Sequence, residues 1–454
     1  MVATIPATEP APTEGDARWF RLALALVVVG ALILRFTYVF VARRNFDPHG
    51  DAYFYTAGAN LLADGKGFIS PFFAVVGIHR AAAEHPPLYI VFLAIPSVLG
   101  MKSVLTHLLW SCVLGSATVW VIGLLGRAVG GARVGIAAAV IAALYPNLWA
   151  PDGMLQAETL SMFFAALALL LAYRYWQAPS WQRLALVGLA CGAGAMARSE
   201  LILLVPLLVV PLAWTTRYRL WRQRLRWIGA AVLAAVVVIA PWTIYNTTRF
   251  VHPILLSAQF DPLLASANCD SVYFGRLQGY FDIQCAIAIS DKQHLADEEG
   301  LPRYDESQED VVYRREALAY VRGHMSRLPA VEGVRLLRIV GLYKTSLYVR
   351  ADAFIEGRNP VWISWAALYS FWLLALLSIA GGVILRRRHV VPVYPLIAPI
   401  VVVSFTVVVT YASTRFRTTA EPAFVVLAAV AVDAAIQRVL GRARRNAGYA
   451  SARN

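Results

Sequence analysis

Two short stretches in the first fifth of the chain gather residue types that could do chemistry. The first reads Asn45-Phe46-Asp47-Pro48-His49-Gly50-Asp51-Ala52-Tyr53-Phe54-Tyr55. Asp51 opens an amphipathic helical pattern in which Tyr55, Ala59 and Leu62 share a face at i, i+4 and i+7,. A carboxylate there has two readings. It can cap the helix through its side-chain oxygen, or it can take a proton from a substrate hydroxyl. Gly65-Lys66-Gly67-Phe68 ends the pattern. The second stretch, Glu84-His85-Pro86-Pro87-Leu88-Tyr89, sets a carboxylate beside an imidazole, and its two prolines fix an extended lead into a short helix,. Such a pair can bind a divalent cation or orient a phosphate. His252 and Asp152 are candidate partners, with Glu84 and His252 read as the metal ligands.

Other charged residues stand where charge is expensive, at about 2.5–3.5 kcal/mol each near the middle of a membrane span. Arg198 with Glu200, and Arg415 and Arg417 with Glu421, fall at the ends of apolar runs, as does Arg249. These arginines could neutralise an anionic leaving group, or extend to the interface as snorkelling side chains. Asp152 and Glu158 either support the site or serve structure alone. Arg35, inside the first apolar run, reads as a structural partner for a carboxylate. No G-x-x-x-x-G-K-[ST], H-E-x-x-H or G-x-S-x-G element occurs, nor an acidic D-x-D pair,. Any reaction must therefore use a substrate that arrives already activated at the membrane.

The elements that must position these residues are apolar helices. Of 454 residues, 59% are apolar and 15% charged, against about 45–50% and about 25% in soluble domains. That excludes a soluble enzyme, a disordered chain and a coiled coil. Runs long enough to cross a bilayer, or nearly so, lie at 19–42, 104–126, 132–148, 156–175, 183–197, 200–215, 227–246, 361–385, 392–412 and 422–440. About ten transmembrane helices are expected, with 86–100 too short and too proline-rich to be one of them. The net charge of +14 then reflects bases held on one side,. With the N-terminus inside, Arg127 and Arg133, Arg174 and Arg183, Arg217 to Arg226, Arg386 to Arg388 and the C-terminal arginines all fall on the cytoplasmic face. Counting 86–100 as a crossing would invert every later loop. The first apolar run is long and has no A-x-A cleavage site at its end, which reads as a retained helix and not a signal peptide,.

This gives a cytoplasmic tail over 1–18, disordered in its first fifteen or so residues, and a membrane module over 19–246 with an outer loop at 43–103. An extracytoplasmic region over 247–360, C-terminal helices over 361–440 and a basic tail over 441–454 follow. The 247–360 region holds Tyr273, Phe274, Tyr280 and Phe281, the acidic patch Asp297-Glu298-Glu299, and a helical pattern near 310–340. Cys269 and Cys285 lie there on the oxidising side and read as a disulfide,, worth about 3 kcal/mol through loop closure. Cys112 and Cys191 read as buried apolar residues. Gly130-Gly131 reads as a turn.

G-D-A-x-x-Y after a first helix, then G-K-G-F and E-H-P-P-L-Y, resembles membrane glycosyltransferases of the GT-C type. The nearest look is to family 39, which includes protein O-mannosyltransferases and the aminoarabinose transferases of lipid A. Tyr145-Pro146 followed by Glu158, Ala197-Arg198-Ser199-Glu200, and Arg415-Phe416-Arg417 with Glu421-Pro422 extend the resemblance along the chain. It implies an all-α polytopic fold, GT-C-like, with interfacial helices in the first outer loop. It also implies a sugar taken from a polyprenyl-phosphate donor and moved outside the membrane to a lipid, glycan or protein acceptor, with inversion. Under it Asp51 is the catalytic base and Glu84 a metal ligand. By residue type and placement, Tyr55, His85, Arg198, Glu200, Arg249, Arg415 and Arg417 are read as contacting substrate, with Asp152, Glu158 and Glu421 behind them. A divalent cation is the only cofactor this implies, and no nucleic acid is involved. Two positions depart from the family pattern. His85 replaces the lysine of aminoarabinose transferases, and Asp51-Ala52 replaces the paired acids of protein O-mannosyltransferases, which argues against a protein acceptor. The competing class is a transporter or flippase of a lipid-linked sugar, for which internal repeats are expected; the sequence shows none. A catalytically dead assembly subunit is a third reading, against which the retained Asp51 stands.

Overall fold

The computed structural model describes residues 14–215, 220–297 and 300–451. The expected disorder of the first residues, and the bases Arg217 and Arg219, fall outside this set. Six helical stretches are long and apolar enough to cross a membrane: Ala17–Arg43, Val104–Leu144, Glu158–Gln177, Trp221–Thr247, Val361–Arg388 and Thr414–Gly441. The chain is an integral membrane protein. Among the described residues there is no strand, only two isolated bridges.

The opening helix α1 (Glu14–Tyr38) runs into a π-turn over Val39–Arg43. A short α2 (Asp51–Ala63) and α3 (Leu88–Val98) follow. At 11 residues α3 spans about 16 Å, half the bilayer core,, and it packs on α2. The 41-residue helical stretch α4 (Val104–Leu144) is two helices joined by a tight turn, because Gly131 sits at φ +86°, a region closed to most side chains,. Three more helices are α5 (Glu158–Gln177), α6 (Trp181–Ala195) and α7 (Ser199–Thr215). α6, 15 residues long, lies so close to α8 (Trp221–Thr247) that a Cβ on Gly188 would meet Ala231 O at 1.9 Å. Small residues let membrane helices approach in this way. The stretch over 247–360 contributes α9 (Glu306–Gly323), and the chain continues through α10 (Val361–Arg388), α11 (Tyr394–Val409) and α12 (Glu421–Ser451). α6, α7, α11 and the second half of α4, which runs from the break at Gly131 to Leu144, are the expected spans that fall short of full length.

A core of apolar side chains from α1, α4, α5, α6, α7, α10, α11 and α12 fills the centre. Buried ion pairs cross this region, and the first joins α1 to the chain after α4. Arg35 of α1 donates from Nε to Asp152 Oδ2 at 2.7 Å, and Thr159 donates to Asp152 Oδ1 at 2.9 Å. Arg35 also reaches Leu148 O, and both partners are sealed from solvent. Asp152 therefore ties α1 to the α4–α5 connection, and it is not free to join a metal site with Glu84. Removing one partner of such a pair leaves a buried charge alone. We expect Asp152→Ala to cost about 3–5 kcal/mol in unfolding experiments on the purified protein, against less than half of that for a polar surface change such as Asp64→Ala.

Candidate active site

Asp51 is the first residue of α2, and its carboxylate caps nothing. The cap position belongs to Gly50, whose φ of +54° turns the chain into the helix, with Phe54 N–H donating to Gly50 O at 3.0 Å. Released from that duty, Asp51 Oδ2 lies 2.7 Å from Arg415 Nη2 and Oδ1 lies 3.5 Å from His85 Nε2. Burial alone would raise the Asp51 carboxyl. Arg415 and His85 more than offset it and hold the group well below the usual carboxylate range,.

Glu84 and His85 arrive on a small hairpin. Ile69 and Ala81 bridge across it, Ser70 N–H donates to Arg80 O, and Ala82 N–H to Phe68 O. After the two prolines, Leu88 N–H donates to Met196 O at 2.9 Å, fixing the hairpin to the segment that carries Arg198. The His85 ring packs between Phe54 and Tyr55, at 5.0 and 4.8 Å between centroids. Its buried Nε2 stands 3.9 Å from Glu84 Oε1 and lacks a well-formed hydrogen bond. Burial lowers the imidazole's proton affinity, but Asp51 and Glu84 outweigh that and raise it. The Glu84 carboxyl is raised, first by burial and then by Asp51. One ligand atom each from Asp51, Glu84 and His85 lies within 4.8 Å of the others. Two carboxylate oxygens and an imidazole nitrogen at that spacing form a donor set suited to a divalent cation.

Two arginines complete the floor. Arg198 donates to Glu158 Oε1 and Glu200 Oε1, both at 2.6 Å. Arg415, held by a short turn that Ser413 caps, reaches Asp51, Glu158 at 2.5 Å and Glu356 at 3.5 Å. These groups line or flank a cavity of about 320 Å³ whose polar floor shows Asp51, Tyr55, His85, Arg198, Glu200 and Arg415. The rest of its lining is largely apolar and includes Ile202 and Leu203 of α7 and Phe405 and Val409 of α11.

Not every expected residue comes here. Arg417 is 3% exposed, donates to Glu421 at 2.6 Å and to Ile339 O, and lies over the Phe371 ring at 3.6 Å. Glu421 also accepts from Tyr145. This pair braces α12 behind the cavity. Arg249 spends its guanidinium on Phe68 O, Ala82 O and Asn246 Oδ1, and so clasps the hairpin without reaching the cavity. His252 is exposed, and its backbone N–H donates to Ser307 Oγ, apart from the Asp51–Glu84–His85 cluster. Sequence reasoning missed Glu356, which accepts from Tyr280 and Ser413 as well as Arg415. It also missed Tyr411 on the cavity wall. The one available signal for Glu356 was a carboxylate in the short polar stretch that precedes the apolar run from Val361. Cys269 and Cys285 form a disulfide, and Cys112 and Cys191 are buried thiols.

With the geometry in place, comparison with known proteins can be weighed. The family model described as dolichyl-phosphate-mannose-protein mannosyltransferase matches residues 84–245. No curated protein sequence matches the chain. Among solved structures, the archaeal oligosaccharyltransferase AglB from Archaeoglobus fulgidus, in complex with an inhibitory peptide and a dolichol-phosphate, aligns at 15% identity. That alignment covers 96% of this chain and 52% of AglB, with a TM-score of 0.52. The fold is GT-C-like. A second structure of the Archaeoglobus fulgidus oligosaccharyltransferase, tethered to an acceptor peptide with the NVT sequon, gives 14% identity, 94% and 51% coverage, and a TM-score of 0.53. ArnT from Cupriavidus metallidurans bound to undecaprenyl phosphate gives 16% identity, 92% and 78% coverage, and a TM-score of 0.41, too low to bear on the fold. The chain spans about half the length of the oligosaccharyltransferases it matches. The similarity thus holds in sequence over residues 84–245 and in fold over nearly the whole chain.

Losing the Arg249 clasp removes charge-assisted hydrogen bonds of the strong class. In Arg249→Gln, amide exchange at Ser70 and Ala82 should speed up roughly tenfold or more, with the core of α4 unchanged. Equal exchange in both proteins would show that the hairpin holds its shape without the arginine.

Proposed function

We propose that this protein transfers a sugar from a polyprenyl-phosphate donor to an acceptor hydroxyl in the cavity beneath α7 and α11. One observation carries the reading. Asp51, His85, Arg198 and Arg415 come from four separate stretches of chain and converge on one cavity whose remaining lining is largely apolar. A lipid-linked phosphate needs both halves: cations for its head and an apolar surface for its chain.

In this reading Arg198 and Arg415 bind the donor phosphate. Arg415 has to leave Asp51 Oδ2 in order to do so, and the carboxylate, no longer neutralised, becomes a stronger base. The acceptor oxygen attacks the anomeric carbon from the face opposite the phosphate, giving inversion. Its proton passes to Asp51, the sugar–phosphate C–O bond breaks, and the electron pair leaves on the phosphate oxygen that the arginines face. Tyr55 and Glu200 line the space left for the sugar.

A divalent cation fits the same site. Five carboxylates (Asp51, Glu84, Glu158, Glu200 and Glu356) meet two guanidiniums and one imidazole, with Arg80 acting on Glu84 from beyond the cluster. An anionic donor entering such a surplus of negative charge is repelled unless a further cation is present. Asp51 Oδ1, Glu84 and His85 would hold it, and it would supply charge stabilisation to the phosphate. Arg386, Arg387 and Arg388 at the end of α10, and Arg438 of α12, lie at the far end of those helices from Arg415, which favours an extracytoplasmic cavity and inward termini,. The outer region over 247–360 then faces the acceptor.

The test is sugar transfer in membranes containing wild type or Asp51→Asn at matched protein levels, with labelled polyprenyl-phosphate sugars. Transfer should fall by about 10²–10⁴-fold while retention of the polyprenyl phosphate persists. Undiminished transfer would remove Asp51 from the chemistry, and a wild type that moves the labelled lipid across the bilayer without transfer would favour the flippase. Metal content offers a separate check. The purified protein should keep one divalent cation per chain after dialysis, and His85→Ala should lose it.

A further inference from the structure

At the far end of α12 from Arg415, the structure contains a second cavity that the chemistry above does not use. It lies between the last turns of α10 and the matching length of α12, has a volume of about 520 Å³, and is lined by Arg387 and Arg388 from one helix and Arg438 from the other. Val383, Ile384 and Ala434 form its floor. All three arginines are solvent-exposed, and among the described residues none makes an ion pair or hydrogen bond. No carboxylate lines the cavity. Arg415 and Arg438 are 23 residues apart, which places this cavity about 35 Å from the first along the bundle, at the opposite membrane boundary,.

Bases are expected on one side of any membrane protein, but sidedness alone does not gather them. Here three guanidiniums from two packed helices, none with a charged partner among the described residues, line one cavity together with Val383, Ile384 and Ala434 near the ends of two apolar helices. A guanidinium fork matches phosphate geometry, and the floor matches the first methylenes beneath it. Basic pockets between spans on this side are a recognised setting for anionic head groups. We propose that the cavity between α10 and α12 binds the phosphate head group of an anionic phospholipid from the surrounding leaflet, clamping the two helices together. The proposal does not depend on the glycosyltransferase reading.

The experiment measures thermal unfolding and retained lipid, by native mass spectrometry, for the full chain in nanodiscs of phosphatidylcholine with or without phosphatidylglycerol. Wild type should retain phosphatidylglycerol and melt at higher temperature with it. The triple variant R387Q/R388Q/R438Q should lose that increment, with retention falling roughly fivefold per arginine, while its melting in pure phosphatidylcholine stays near wild type. A control removing equal charge outside the cavity, R133Q/R222Q/R226Q, should keep the increment. The proposal is overturned if the control loses as much as the triple variant, if the triple variant retains the lipid, or if inorganic phosphate in pure phosphatidylcholine reproduces the full shift. A triple variant that fails to fold in pure phosphatidylcholine is replaced by R438Q alone, for which the same fivefold loss is required.

Discussion

Arg415 reaches carboxylates from three distant parts of the chain: Asp51 at the start of α2, Glu158 at the start of α5 and Glu356 ahead of α10. None of the three acids could stay ionised near a membrane without such a partner, because desolvating a lone carboxylate costs more than the fold can supply. The guanidinium therefore fixes where three segments meet, and the cavity is the space their meeting leaves. Arg198 repeats the arrangement on one side by sharing Glu158 and pairing with Glu200. The cluster is built to hold more negative than positive charge. For a purely structural knot this is an unfavourable design, and for a site awaiting a cationic or phosphate-bearing complex it is a natural one.

The remaining buried charges do different work, and their geometry separates the two classes. Arg35 with Asp152, and Arg417 with Glu421, are sealed pairs with their hydrogen bonds directed at backbone carbonyls and tyrosine or threonine hydroxyls. They lock helices together and face no open space. Arg249 binds the hairpin that presents Glu84 and His85. Behind the groups that line the cavity, then, stands a set of arginines whose task is position, and this explains why so many charges sit in so apolar a chain.

Much of the architecture was legible in the sequence because membrane spans announce themselves by length and apolarity alone. The short α3 was legible for the complementary reason: Pro86-Pro87 and an 11-residue apolar run cannot cross a bilayer,. The role of Asp51 was not legible to the same degree. Residue type at a helix start points to a cap, and only tertiary structure shows that Gly50 takes that position and that Arg415, 364 residues away, takes the carboxylate. For the same reason the sequence placed Arg417 and Arg249 at the substrate: spacing near a span end does not reveal which way a long side chain turns. His252 was grouped with Glu84 by shared sidedness, which is a far looser constraint than the few ångströms a metal requires. Glu356 carried almost no local signal, since its meaning comes wholly from the arginine it meets.

The central claim is that Arg415 exchanges a carboxylate for a donor phosphate. Its most direct test is the affinity of the purified protein for sugar-free polyprenyl phosphate, compared between wild type, Arg415→Gln and Arg417→Gln, each checked for intact folding by its melting curve. The account predicts that Arg415→Gln weakens binding by roughly tenfold or more, the scale of one charge-assisted contact. Arg417→Gln, removed from the cavity, should leave the affinity of whatever folded protein it yields unchanged. Equal affinity for wild type and a folded Arg415→Gln would contradict the account, leaving Arg415 as a structural knot and the phosphate to be held elsewhere.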